Sequence, residues 1–324
     1  MTVKNKHINK IQYLIESSRM TNSLKNRSRT ITIEITGRCN LNCDFCYYHG
    51  SRNFEMEFND FCEYALKKKS DGFGTFVLTG GEPFSHNNIF EIIDFLGDNG
   101  LKCYIITNGT RLDEDNILRI KNRVDKIILS VSGLEPDKYD SISNAAGTTE
   151  KKIMALKLLK RYNIPTTINL IIFRNNFRNL LDTVKRILEY YPDIRHFSFI
   201  YYRIDDAGSG KENNAYLVPY SVSSKFIVEA FEFLKSRNKE FTISDVPPCF
   251  LGEFRDSSKN NIMKYPNSNI YVSNRVEKDL VIEYVKSDPC TRCRLNSECA
   301  GISRYYFNIL GDAEIKHIIP RHTE

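Results

Sequence analysis

Between residues 30 and 236 a strand pattern followed by a helix pattern repeats six times. Residues 30–36, TITIEIT, put a β-branched apolar side chain at every second position, the period of a strand with two different faces. Residues 75–79, 103–107, 126–132, 166–172 and 196–202 also read as strands. The stretches 57–70, 87–98, 113–122, 148–162, 177–190 and 221–236 carry apolar residues three and four apart, as in Ile89, Ile92, Ile93 and Leu96. Parallel strands need long crossovers, which helices supply. The expected fold is α/β: a parallel sheet covered by helices and curled into a partial (β/α)6 TIM-type barrel.

The ends of the chain read differently. Ile8, Ile11, Leu14 and Ile15 mark a short N-terminal helical extension over 1–29. Past about residue 240 the alternation stops. Pro247-Pro248, an Asn/Ser-rich stretch at 257–274 and a hairpin-like pattern at 270–285 follow. The expected organisation is an extension (1–29), a core barrel (30–238) and a small C-terminal unit (239–324).

Composition narrows the function classes. Of 324 residues, 41% are hydrophobic and 27% charged, as in ordinary globular proteins. No apolar run reaches the roughly 18–20 residues that span a bilayer. The N-terminus has no signal-peptide pattern, so a cytoplasmic location with reduced thiols is expected, without a membrane partner. The net charge of +6 is mild. The lysine clusters Lys67-Lys68-Lys69 and Lys151-Lys152 sit on helical patterns and read as solvated faces, which argues against a nucleic-acid partner.

Nine cysteines stand out against that background. Three fall in CNLNCDFC (Cys39, Cys43, Cys46) and three more in a second cluster (Cys290, Cys293, Cys299). Cys249 stands apart, as do Cys62 and Cys103, which fall in a helix and a strand and read as core thiols. Clustered thiols in a reducing compartment point to metal or catalytic sites. The first cluster follows the first strand directly. Loops at the carboxyl ends of barrel strands build active sites, and Gly80-Gly81-Glu82-Pro83 and Thr107-Asn108-Gly109 follow the second and third strands. Zinc sites usually pair two short knuckles far apart in sequence; three close thiolates on one loop suit an iron–sulfur cubane with one iron left open.

Cys39-x3-Cys43-x-Phe45-Cys46, with the GGEP turn and the TNG turn each after the expected strand, resembles the signature of the radical S-adenosylmethionine (radical SAM) superfamily. The resemblance spans about 30–236. It implies that Cys39, Cys43 and Cys46 ligate a 4Fe–4S cluster whose fourth iron is chelated by S-adenosylmethionine (SAM). It places Gly80, Gly81, Glu82 and Pro83 at the methionyl amine, and Phe45 with Tyr47 or Tyr48 beside the adenine. Asn108, Ser130, Ser132, Asn169, Arg174 and Gly208 are further cofactor-binding candidates. The implied chemistry is reductive cleavage of SAM to a 5′-deoxyadenosyl radical that takes a hydrogen atom from a substrate, with a flavodoxin- or ferredoxin-type electron donor.

Cys290-x2-Cys293-x5-Cys299 is similar to the C-terminal SPASM or twitch domains of that superfamily, which carry auxiliary clusters. Ser303 stands where the full pattern has a further cysteine, so one auxiliary 4Fe–4S cluster is expected, with Cys249 either its fourth ligand or absent from an open iron. A structural zinc site with four thiolate ligands would use the same four residues. The substrate reading is a peptide that is oxidised, crosslinked or epimerised. The alternatives are a small molecule such as a sugar or cofactor precursor and, more remotely, a zinc-stapled binding protein without catalysis. Arg38 and Tyr201-Tyr202-Arg203 are expected near the barrel mouth.

Overall fold

Strand β1 (Arg29–Thr36) follows its alternation closely: Ile31, Ile33 and Ile35 are fully buried on one face, against the helical layer. In the computed structural model, which describes residues 29–46, 53–202, 214–260, 270–273, 276–279 and 284–318, this strand lies inside a nine-stranded sheet. The extension expected over 1–29 lies, except for Arg29, outside the described residues.

The other five expected strands are present as β2 (Phe73–Gly80), β3 (Lys102–Thr107), β4 (Lys126–Val131), β5 (Thr166–Ile172) and β6 (His196–Tyr201). Each pairs in parallel with the one before it. The crossovers are α1 (Phe58–Ser70), α2 (Ile89–Asp98), α3 (Glu114–Ile120), α4 (Pro136–Ser143), α5 (Thr148–Arg161) and α6 (Leu180–Tyr190), followed by α7 (Tyr220–Ser236). Asp113 caps α3 by accepting from the Asn116 amide at 2.9 Å. The buried faces Ile92–Leu96 of α2, Leu156 and Leu159 of α5, and Val184 and Ile187 of α6 pack on Phe76, Leu129, Leu170 and Phe199 of the sheet in one core. Each such fully buried side chain stabilises the fold by about 1.5–3 kcal/mol.

The sheet does not end where the alternation does. β7 (Glu240–Ser244) pairs in parallel with β6, so seven parallel strands form the curved sheet of a partial barrel. The boundary expected at 238/239 therefore does not fall at an edge of the sheet: EFTIS carries its own strand pattern and matches Phe197↔Phe241. At the other edge β8 (Ile270–Ser273) pairs in parallel with β1, and β9 (Val276–Asp279) pairs antiparallel with β8. The hairpin expected over 270–285 is thus shorter; β10 (Tyr284–Val285) pairs instead with β11 (Ile302–Ser303). Two short helices, α8 (Arg304–Leu310) and α9 (Ala313–Ile318), follow β11. Among the described residues no helix is long and apolar enough to cross a membrane.

Two lysines depart from the solvated-face reading. Lys68 is buried with its chain over the Tyr64 and Phe73 rings, and Lys152 is buried on α5, while Lys67, Lys69 and Lys151 are exposed.

Candidate active site

The first three β-to-α loops lock together through the backbone. As β1 ends, the Thr36 carbonyl accepts the Gly81 amide at 2.8 Å and the Arg38 carbonyl accepts the Glu82 amide at 2.8 Å. That approach leaves no room for side chains. A Cβ on Gly80 (φ +136°) would lie 2.1 Å from the Thr36 oxygen, and one on Gly81 would lie 2.4 Å from the Arg38 oxygen. The two glycines are required because the base of the cysteine loop rests on them.

Glu82 ties the second loop to the third. It is fully buried; Oε1 accepts the Thr107 hydroxyl at 2.7 Å and the Phe84 amide at 3.2 Å, and Oε2 accepts the Asn108 amide at 2.8 Å. Burial raises its carboxyl pKa while these donors hold it down. Both oxygens of this residue, expected beside the methionyl amine, accept from protein donors. Pro83 starts the buried 3-10 turn that follows. Asn108 reaches back to the cysteine loop, its Nδ2 lying 3.9 Å from Cys39 Sγ and 3.2 Å from Asn40 Oδ1.

The far side of the cysteine loop is held by the end of α4. The Asn42 and Asp44 amides donate to the Ser143 and Ile142 carbonyls at 3.2 and 3.0 Å. Asn144, left-handed at φ 52°, sends Nδ2 to the Asn42 carbonyl and Asp44 Oδ1, each at 2.7 Å. Sequence reasoning missed Asn144; an Asn just beyond a short polar helix is a common left-handed cap, but its long-range bonds leave no local trace. Within the loop the Cys46 amide closes a turn onto the Cys43 carbonyl at 3.1 Å.

Cys39, Cys43 and Cys46 form no disulfide and are half-buried. Burial pushes the Cys43 thiol up to about 11; Lys152 opposes this and the neighbouring thiols add to it. Among the described residues no three His, Cys, Asp or Glu side chains are placed to hold a single metal ion. A cubane fits this donor set better, because each thiolate binds a different iron and the sulfurs stand further apart than around one ion. Ligation there releases the thiol protons.

The remaining expected residues divide. Ser130, Asn169, Ser198 and Thr242 stand at one level across β4 to β7, paired in register on the face opposite the helical layer. Ser198 and Thr242 were not anticipated. The Ser132 carbonyl accepts from Asn176 Nδ2 at 2.9 Å; buried Asn176, also missed, binds the ends of β4 and β5 together. Phe45 stacks on Phe173 at 4.7 Å between centroids, beside Tyr139 and Tyr202. Arg174 is exposed, and its guanidinium donates to the Leu217 carbonyl. Arg38 pairs with Glu55. Tyr201 turns into the helical layer, where its hydroxyl donates to the Val218 carbonyl. Tyr47, Tyr48, Arg203 and Gly208 lie outside the described residues. Of the two thiols expected in the core, Cys103 is fully buried and Cys62 half-buried.

A second group of thiols lines a small solvent-open pocket: Cys249, Cys290, Cys293 and Cys299, together with Lys286 and Asn296. Cys249 comes from the 3-10 turn after β7, the others from the loop between β10 and β11. Asn260, fully buried, joins the two segments by accepting the Asp245 amide at 3.0 Å and donating to the Gly301 carbonyl at 3.1 Å. Gly301 (φ +108°) is needed because a Cβ there would lie 2.3 Å from the Val285 oxygen. Burial raises the pKa of Cys249 well above the usual thiol range, and the three other thiols add to it. Ser303 caps α8, accepting the Tyr306 amide at 3.2 Å.

A partial parallel barrel with a cysteine loop after its first strand, seated on a diglycine turn after its second, defines a class of cluster-dependent α/β enzymes. Residues 33–187 match the Radical SAM superfamily, and the chain carries a radical SAM domain. That family implies a 4Fe–4S cluster and SAM.

The chain is 28% identical over 185 residues to the antilisterial bacteriocin subtilosin biosynthesis protein AlbA of Bacillus subtilis, covering 56% of this chain and 40% of AlbA. It is 25% identical over 182 residues to the AdoMet-dependent heme synthase of Methanosarcina barkeri, covering 55% of this chain and 52% of that protein. The matches thus span about half the length of these relatives or less. In fold it resembles Streptococcus suis SuiB bound to S-adenosylmethionine, with a TM-score of 0.64 at 14% identity over 93% of this chain and 80% of SuiB. SuiB has also been solved bound to the precursor peptide SuiA.

Proposed function

We propose that this radical SAM enzyme modifies a peptide by taking a hydrogen atom from it, and that a second, auxiliary 4Fe–4S cluster serves the oxidation that follows. The observation that carries the reading is the pair of thiol groups: three on the loop seated on Gly80-Gly81, and four around one cavity. Cys39, Cys43 and Cys46 would hold the first cluster. With SAM bound, that cluster supplies one-electron cleavage of the sulfonium and a 5′-deoxyadenosyl radical. The chain's own residues do the rest. Gly80 and Gly81 let the second loop approach the cysteine loop, Glu82 and Asn108 fix the third loop against it, and Ser130 and Asn169 present hydrogen-bonding groups toward the inner face.

Cys249, Cys290, Cys293 and Cys299 would complete an auxiliary cluster with four protein ligands and no open iron. The division into a core barrel and a C-terminal unit is a functional one in this reading, since both share the main sheet. AlbA's role in bacteriocin biosynthesis and SuiB's precursor peptide support a peptide substrate. The heme synthase relative favours the second reading, a small molecule. An electron donor of the flavodoxin or ferredoxin class and a cytoplasmic setting belong to the same proposal.

The test is anaerobic incubation of the reduced, reconstituted protein with SAM and short peptides encoded beside its gene. Mass spectrometry follows 5′-deoxyadenosine and the peptide. A peptide lighter by hydrogen atoms, in step with 5′-deoxyadenosine, is expected. Turnover only with small-molecule fractions would overturn the peptide reading.

A further inference from the structure

Ser287 stands at the N-cap position of the 3-10 turn Asp288–Arg292. A serine there ordinarily accepts an amide from its own turn, as Ser303 does from Tyr306 in α8. The Ser287 side chain makes no such bond. Its hydroxyl oxygen lies 3.7 Å from Cys290 Sγ instead, and the residue is buried. The Cys290 amide, which a side-chain cap would take, donates to the Ser287 carbonyl at 2.8 Å. The other two sulfurs of this loop also receive donors. The Leu295 amide reaches Cys293 Sγ at 3.4 Å, and the Gly301 amide reaches Cys299 Sγ at 3.2 Å. Those two donors are backbone; Ser287 supplies its own from a side chain.

The placement is rigid. Pairing of β10 with β11 holds the loop at both ends, and Gly301 packs directly on the Val285 carbonyl. While Cys290 is a thiol, either atom of the Ser287 contact can be the donor. A metal-bound cysteine carries no proton, so the hydroxyl then donates. A hydrogen bond to a charged sulfur is stronger than a neutral one, and burial keeps water from replacing it. Lys286 lines the same pocket, but it is exposed, and water and salt screen its charge.

We propose that the Ser287 hydroxyl, held on Cys290, raises the reduction potential of the auxiliary cluster: Ser287 is a positioning residue that makes this site a better electron acceptor. The inference rests on the proposed ligation by Cys249, Cys290, Cys293 and Cys299. The step moves one electron. The peptide radical left by hydrogen abstraction loses an electron to the oxidised 2+ site, which becomes 1+, and a proton to water. The peptide ends two hydrogen atoms short. The site returns to 2+ by passing that electron to an oxidised ferredoxin- or flavodoxin-class protein. Part of the added negative charge falls on the ligating sulfurs, where a donor offsets it, so cluster potential follows the hydrogen bonds to sulfur.

The experiment is an anaerobic redox titration of the full, reconstituted chain followed by EPR, with wild type, Ser287→Ala and Ser287→Thr. The signal that changes on adding SAM identifies the first cluster, and the signal that does not reports the auxiliary one. Ser287→Ala is expected to make auxiliary reduction about tenfold less favourable, about 59 mV more negative, with the SAM-responsive potential unmoved and Ser287→Thr close to wild type. An unchanged auxiliary potential in Ser287→Ala overturns the proposal. An equal shift in Ser287→Thr also overturns it, in favour of shape. If Ser287→Ala loses the auxiliary iron while Ser287→Thr keeps it, the hydroxyl role stands; loss from both overturns it. Wild type without a SAM-independent iron–sulfur signal sinks the auxiliary ligation itself, an outcome separate from these.

Discussion

Replacing Gly81 with alanine would put a methyl group 2.4 Å from the Arg38 carbonyl oxygen and 2.5 Å from that of Gly37. Both are backbone atoms and cannot swing aside. To restore an ordinary contact the Arg38 carbonyl must retreat by about 1 Å, which moves Cys39, the next residue. Overpacking of this kind costs about 1–3 kcal/mol. The two bonds that seat the loop, Gly81 to Thr36 and Glu82 to Arg38, both 2.8 Å, stretch together, at about 1 kcal/mol for each one lost. With both bonds lost, the expected loss is therefore about 3–5 kcal/mol. It is concentrated at the cysteine loop, so iron uptake should fall more than global stability does. Gly97→Ala is the control: in helix α2 its Cβ meets only the end of the Arg123 side chain, at 3.3 Å, and alanine there should be neutral or stabilising by up to about 1 kcal/mol. The assay is urea unfolding of the apoprotein beside iron per chain after anaerobic reconstitution. A Gly81→Ala protein matching wild type in both would refute the claim that the diglycine turn seats the loop.

Three further outcomes follow from the geometry. Asp140 is partly buried, which raises its pKa, but the donors from Thr149 and Gly147 and the charge of Lys152 leave it below the usual carboxylate range. Its contribution is therefore present at neutral pH and lost as pH falls through the lowered folded pKa: Asp140→Asn should cost about 1–2 kcal/mol of apoprotein stability at pH 7, with the gap to wild type closing in acid when urea unfolding is repeated there. Asn144→Gly keeps the left-handed backbone and removes both 2.7 Å bonds to the cysteine loop, so iron should be lost to a chelator several-fold faster while unfolding stability changes by less than about 1 kcal/mol. Cys299→Ala should lower iron from about eight to about four per chain and leave the SAM-responsive EPR signal intact; full iron retention would remove Cys299 from the auxiliary site.

Much of the fold was legible because the six strands carry their burial in their own alternation, as Ile31, Ile33 and Ile35 do. What escaped was short or polar. Helix α4, PDKYDSIS, has too few apolar residues to show a period, and β7 follows a change of composition that looked like a boundary. At the site, the cysteines and the GGEP turn were visible as residue types, but the reason for the glycines, the Arg38 carbonyl, is a contact between loops. Asn144, Asn176 and Asn260 bond across 102, 44 and 41 residues, distances over which a sequence holds no local pattern. Lys152 misled for a related reason: its neighbours Lys151 and Glu150 are solvated, and only tertiary packing buries it.

The central claim is that the loop carrying Cys39, Cys43 and Cys46 generates a radical from SAM. The direct measurement is 5′-deoxyadenosine formed by the anaerobically reconstituted, reduced protein given SAM, set beside Cys43→Ala. The account predicts 5′-deoxyadenosine from wild type and none above background from Cys43→Ala. Cleavage retained in Cys43→Ala, or absent from a wild type loaded with iron, would contradict it.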